Sequence, residues 1–251
     1  MPVLQRDGVS IHYETSGSGP DVLLTHGFSA SSRMWRSNVP ALVDAGYRVT
    51  VWDMRGHGQS QSPEDPGLYS AALTVADMAA LLDAIGAQQA VIGGMSLGGF
   101  MSLSFNLAHP KRVRALMLID TGPGFRNDKA RDDWNDYARA YGERLMAEGD
   151  AALSSSSETR LQSQNFEGLK RVAQGMLTQQ SADVINSLPG IDVPSLVVVG
   201  DRDKPYLGSA DYMAGKIPGG RKIVITDAGH ASNVDQPAAF NSAVIDFLNT
   251  L

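Results

Sequence analysis

The sequence predicts an α/β fold built on a mostly parallel sheet. Three observations carry that expectation. Short runs of Val, Ile and Leu recur at wide spacing along the 251 residues. Amphipathic helical stretches fill most of the intervals between them. One junction, "AVIGGMSLGGFM" at 90–101, crowds four glycines around a single serine where a strand pattern gives way to a helix pattern. Nearly continuous apolar runs suit strands buried on both faces of a parallel sheet. Their alternation with helices implies right-handed crossovers.

Taken in order, "VLQRDGVSIHYE" (3–14) reads as a hairpin, because Asp7-Gly8 is a two-residue turn signal between β-type segments. The further strands are "DVLLT" (21–25), "RVTVW" (48–52), "AVIG" (90–93), "ALMLID" (115–120), "SLVVVG" (195–200) and "KIVIT" (222–226). Val75, Met78, Leu81, Leu82 and Ile85 recur at helical spacing. So do Phe240, Val244, Phe247 and Leu248, after Pro237 in a helix-starting position. Between 122 and 194 the rhythm changes and no strand-like run appears. Trp134, Tyr137, Tyr141 and Leu145 share one helical face there, and Phe166, Leu169, Val172 and Met176 share another. "SSSS" at 154–157 separates the two as a flexible break. This stretch reads as a small helical subdomain lying over the strand ends, where α/β proteins bind ligands.

Composition narrows the function classes. With 43% hydrophobic and 19% charged residues, the chain has an ordinary globular make-up. The net charge of −6 and the scattered Lys and Arg argue against a nucleic-acid partner. No cysteine is present, which removes disulfides, thiolate metal sites and a cysteine nucleophile together. The N-terminal stretch lacks the apolar core of a signal peptide. No apolar run approaches the roughly 18 residues of a membrane span. The expectation is a soluble, cytoplasmic protein with a small-molecule substrate and no cofactor, metal or membrane partner.

Gly94-Met95-Ser96-Leu97-Gly98 fits the G-x-S-x-G pattern of a nucleophile elbow, in which a strained strand-to-helix turn exposes the serine hydroxyl. A serine hydroxyl needs a base, and the base needs an orienting partner. Of the five histidines, His12, His26, His57 and His109 read as structural. His230 lies in a loop after the last strand and before the last helix, where a base built on this scaffold belongs. The preceding strand ends in "GDRD", which offers Asp201 and Asp203; Asp227 more simply shapes its own turn. Spacing alone does not choose between the first two. The oxyanion donors expected are the backbone N–H of Leu97, directly after the serine, and that of Phe28 in the "THGFSASS" loop.

The ordered set "HGF" (26–28), "DMRGHGQS" (53–60), "GMSLGG" (94–99), "GDRD" (200–203) and "GH" (229–230) resembles the α/β-hydrolase fold superfamily. Within it, the chain is similar to small bacterial carboxylesterases and 3-oxoadipate enol-lactonase-like hydrolases. The resemblance implies a core over 1–121 and 195–251 and a helical cap over 122–194. It implies a catalytic acid at the last position of the G-x-x-D turn, hence a Ser96, Asp203, His230 triad. It assigns no catalytic step to Asp53, Arg55 or His57. Relatives with an aspartate nucleophile are set aside because the elbow holds Ser96. The expected reaction is cleavage of a small, partly apolar carboxylic ester, with Phe125, Trp134, Tyr137, Met146, Phe166 and Tyr206 available to line the pocket. The alternatives are a lactonase with the same triad, for which Arg126, Arg131, Arg139 or Arg144 would serve an anionic acid, a C–C bond hydrolase, and a non-catalytic receptor for a small ligand.

Overall fold

The computed structural model describes residues 3–153 and 165–251; the serine run at 154–157 lies outside them. Strands β1 (Val3–Arg6) and β2 (Val9–Ser16) form the N-terminal hairpin. Both Asp7 and Gly8 take positive φ, at 52° and 74°, as a turn matching the twist of a hairpin requires. There follow β3 (Asp21–Thr25), α1 (Val39–Asp44), β4 (Arg48–Trp52), α2 (Ala71–Ala84), β5 (Ala90–Met95), α3 (Leu97–Ala108) and β6 (Val113–Ile119). Helices α4 (Asp128–Glu148), α5 (Phe166–Gly175) and α6 (Asp183–Ser187) separate β6 from β7 (Ser195–Gly200). The chain closes with α7 (Lys204–Lys216), β8 (Arg221–Ile225), α8 (Ser232–Asp235) and α9 (Pro237–Leu248).

The eight strands make one sheet in the order β1-β2-β4-β3-β5-β6-β7-β8. β1 pairs antiparallel with β2 and β2 with β4; every other pairing is parallel. The apolar runs explain the layering through their period of two. Leu23, Ile92, Leu116, Leu118, Val197 and Val199 face one core with Met78, Leu82, Met101, Phe105 and Met213. Val22, Leu24, Val91, Met117, Leu196 and Val198 face the other with Leu42, Phe240, Val244 and Phe247. Each such fully buried Val or Leu contributes about 1.5–3 kcal/mol relative to exposure. The parallel strands all point their C-terminal ends to the same edge of the sheet, and the loops at that edge build the candidate site.

One helical face differs from the expectation. The buried stripe of α4 is Asn135, Ala138, Gly142 and Leu145, not Trp134, Tyr137, Tyr141 and Leu145. The reason is the approach of α5. At Gly142 a Cβ would lie 3.2 Å from the Lys170 carbonyl oxygen and 3.3 Å from Ala173 Cβ, so small residues face the partner helix. The aromatic rings are displaced to the flank. There Phe125, Trp134, Tyr137, Tyr141 and Phe28 form a chain with centroid separations of 5.8, 5.8, 6.0 and 5.6 Å.

Candidate active site

The elbow is tight because two backbones cross. A Cβ on Gly94 would fall 2.3 Å from Gly98 carbonyl atoms, and one on Gly98 would fall 2.2 Å from the Thr25 carbonyl oxygen. Only glycine permits that contact between the end of β5, the start of α3 and the end of β3. Ser96 is forced to φ 53°, ψ −115°, an unusual conformation for a residue with a side chain. It is held there from both sides. Its N–H donates to the Ile119 carbonyl (2.9 Å), and its carbonyl accepts the Thr121 hydroxyl (2.6 Å).

Ser96 Oγ lies 3.0 Å from His230 Nε2, and His230 Nδ1 lies 2.8 Å from Asp203 Oδ2. Asp203 follows β7 and is 4% exposed, while the imidazole, in the loop after β8, is 28% exposed. Asp201 is turned away, and its Oδ1 accepts the Ala228 N–H at 3.2 Å. Asp227 pairs with Arg202. The Tyr206 ring stacks on His230 with centroids 4.6 Å apart and 27° between planes, so it covers one face of the imidazole. Burial, reinforced by the charge of Asp203, pushes the Tyr206 phenol up to about 12. It therefore stays protonated near neutrality and is not a base.

A further carboxylate, which sequence reasoning passed over, ties this arrangement together. Asp120 directly follows β6, with φ 44°, and is fully buried. Its Oδ1 accepts the Gly200 N–H (2.9 Å), at the head of the Asp203 turn. Its Oδ2 accepts both the N–H (2.9 Å) and the hydroxyl (2.6 Å) of Ser232, two residues past His230. Burial raises its pKa to about 6 against these hydrogen bonds.

The loop that carries Phe28 is pinned from beneath. Gly27 lies against the elbow: a Cβ there would sit 2.7 Å from Met95 Sδ and 3.4 Å from Ser96 Cβ. Neither the Phe28 nor the Leu97 backbone N–H donates to a protein acceptor among the described residues. His26 Nε2 accepts the Met54 N–H (3.0 Å) and His57 Nε2 accepts the Ser29 N–H (3.3 Å). Both rings are therefore neutral. Burial lowers the pKa of His26, and lowers that of His57 well below 6.5 with His26 adding to the effect.

A pH dependence of stability follows. The unfolded chain binds these two protons near 6.5 and the folded chain does not, so the stabilisation present above 6.5 is lost as pH falls below it. Asp120 runs the other way, because its raised pKa adds stability as pH falls from about 6 towards 3.8. Between pH 7 and 6 the histidines dominate, and the urea midpoint is expected to drop. A midpoint that rises over this interval would show that the imidazoles are charged in the fold.

A cavity of about 290 Å³ opens at Ser96. Phe125, Trp134 and Tyr206 line it, together with Phe100, Leu177 and Gln179, which the sequence did not single out. Tyr137, Met146 and Phe166, expected at the pocket, do not line it. Tyr137 and Met146 are 54% and 40% exposed on the displaced flank of α4, and Phe166 packs on Leu145, Ala152 and Leu169. Among the described residues no cluster of His, Cys, Asp or Glu suits a metal ion, and no helix is long and apolar enough to cross a membrane.

Known proteins share this fold. The family model described as alpha/beta hydrolase fold matches residues 20–162. A putative 2-succinyl-6-hydroxy-2,4-cyclohexadiene-1-carboxylate synthase of Bacillus subtilis is 28% identical, covering 98% of this chain and 97% of that protein. A 3-oxoadipate enol-lactonase of Acinetobacter baylyi is also 28% identical, over 99% and 97% of the two chains. Among solved structures, a thermophilic esterase from Thermogutta terrifontis superposes with a TM-score of 0.84 at 28% identity, covering 96% of this chain and 94% of the other.

Proposed function

Since the chain belongs to the alpha/beta hydrolase fold family, and is a hydrolase-type enzyme, we propose that it cleaves carboxylic esters through Ser96, His230 and Asp203. The observation that carries this reading is the continuous hydrogen-bonded line from Ser96 Oγ through His230 to a buried Asp203, at the mouth of a largely apolar cavity.

In this mechanism His230 Nε2 takes the Ser96 proton as Oγ bonds to the ester carbonyl carbon. Asp203 holds the imidazole in the required tautomer and stabilises its cation. The unengaged N–H groups of Phe28 and Leu97 receive the oxyanion; each such donor is worth roughly 3 kcal/mol in the transition state. The imidazolium returns its proton to the departing alkoxide, leaving an acyl-enzyme. Water then gives a proton to His230 and attacks the acyl carbon; the bond to Ser96 Oγ breaks, Oγ takes the proton back from His230, and the acid departs. The described residues within 122–194 act as a cap over the site, a role supported by the wall that Phe125, Trp134, Leu177 and Gln179 contribute.

An uncharged substrate is favoured over a carboxylate-bearing lactone. Arg126 bonds Asn186 and Tyr212, and Arg131 and Arg139 pair with Asp128 and Asp136. Arg144 reaches the Ala152 carbonyl, and none of the four lines the cavity. Steady-state hydrolysis of p-nitrophenyl esters from acetate to octanoate tests the reading. Turnover is expected in the wild type and its loss in Ser96→Ala. Equal rates in the two proteins would overturn it.

A further inference from the structure

Two cavities meet at Phe100. The first opens at Ser96; the second, of about 510 Å³, lies beyond Phe100 and Gln179, which line both. The dividing wall is close-packed. A Cβ on Gly124 would sit 2.5 Å from Gln179 Oε1 and 3.2 Å from Phe100 Cε2. Gln179 is fixed, since its Oε1 accepts the Phe125 N–H (3.1 Å) and its backbone exchanges two hydrogen bonds with the Asn135 side chain (2.7 and 2.8 Å). Phe100 is only partly buried and lines both cavities, so a turn of its ring would join them.

Helix α3 runs past both cavities. Leu97 lines the first, Phe100 both, and Ser104, Leu107 and Ala108 the second. These positions fall on one helical face. At 1.5 Å per residue, Leu107 stands about 15 Å along the axis from Leu97. Leu107 is 44% exposed, whereas Met101, Leu103 and Phe105 of the same helix are fully buried.

The chemistry of the second cavity selects its occupant. Most of its polar side chains are already engaged. Ser104 Oγ donates to the Phe100 carbonyl (2.8 Å) and Thr178 Oγ1 to the Gly175 carbonyl (3.0 Å). Ser70 Oγ accepts the Leu73 N–H (3.1 Å), Gln174 Nε2 donates to Glu143 (2.9 Å) and Ser181 Oγ to Asp183 (2.8 Å). A polar ligand would lose its hydration with little return. An alkyl chain would gain up to about 4-fold in affinity per methylene it buries.

We propose that the second cavity is the distal part of the substrate site, and that it takes the far end of an unbranched alkyl arm passing Phe100 along α3. This rests on Ser96 being the nucleophile of an ester hydrolase, and it extends the substrate beyond what the first cavity holds.

The test is inactivation by p-nitrophenyl alkylphosphonates with arms from methyl to dodecyl. The reaction needs only an activated serine: Ser96 Oγ bonds to phosphorus, His230 takes its proton, and the bond to p-nitrophenolate breaks. The second-order rate is expected to climb with chain length past hexyl, by about 2–4-fold per methylene. Leu107→Asp, at an exposed position that leaves folding intact, should lower the dodecyl-to-methyl rate ratio at least tenfold, and Phe100→Ala should raise it. Rates that peak at or below hexyl in both wild type and Phe100→Ala, or a ratio unmoved by Leu107→Asp, would overturn the proposal. A folded protein inactivated at no chain length would bring down the ester-hydrolase reading itself, and the distal site with it.

Discussion

Asp203→Asn is expected to lower turnover by about 10⁴-fold, while Asp201→Asn leaves it within a few-fold of wild type. The two carboxylates are two residues apart, so the contrast isolates geometry from local charge. Asp203 accepts from His230 Nδ1 at 2.8 Å and is almost fully buried. An amide there can present N–H to Nδ1, which favours the tautomer with its proton on Nε2. That tautomer has no lone pair for the Ser96 hydroxyl. Asp201 makes a single bond to the Ala228 N–H at a partly exposed turn, and an amide oxygen replaces that acceptor. The ratio of kcat for the two variants, measured on one p-nitrophenyl ester, is the readout. Equal losses would show that the turn as a whole, not the Asp203–His230 bond, is what turnover needs.

The second large effect concerns stability. Arg55 is completely buried, and its guanidinium meets Asp77 on α2 through two hydrogen bonds, Nε to Oδ2 at 2.7 Å and Nη2 to Oδ1 at 2.8 Å. Nη2 also reaches Asp7 in the hairpin turn (3.1 Å), and Arg6 Nε adds a bond to Asp77 at 2.9 Å. The cluster thus joins the β1–β2 turn, the loop after β4 and α2. Removing one partner of such a pair leaves the other charge buried, which costs about 3–5 kcal/mol. Asp77→Ala is expected to lose that much in urea unfolding, a large share of the 5–15 kcal/mol typical of folded proteins. The turnover of the folded protein should be unchanged, because Asp77 touches no group at Ser96. A loss below 1 kcal/mol would mean that water reaches the freed guanidinium.

Local chemistry was the legible part of this chain. The hairpin could be read because Asp-Gly supplies two residues at positive φ. The elbow could be read because close backbone crossing demands glycine at both 94 and 98, and those residues are neighbours in sequence. The strands showed in their apolar continuity, since both faces of the sheet are covered. What escaped was anything set by meetings across long separations. Asp120 looks like an ordinary acid at a strand end, and its partners lie 80 and 112 residues further on. Gln179 reads as a polar residue in a helical stretch, yet it becomes a cavity wall through Phe125 and Asn135. The α4 stripe was misread because aromatic residues dominate any hydrophobic pattern, whereas helix contact at Gly142 is governed by small size. Met146 and Phe166 shared that error: apolar character marked them, but the direction of α5 decided where they went.

The placement of His230 has a last consequence. It hangs from β8, one of the two edge strands of the sheet, which has a neighbour on one side only and leaves Val224 42% exposed. Edge strands fray first, at opening free energies well below that of global unfolding. Asp120 counters this by stitching the loop after β8 to the interior strand β6 and to the head of the β7 turn. His230 and Asp203 are thereby expected to open together with the interior of the sheet, not ahead of it. Amide hydrogens of Gly200, at the last position of β7, and Ser232, at the first of the short α8, are then expected in the slow-exchanging class, and this edge melts as one cooperative unit with the core.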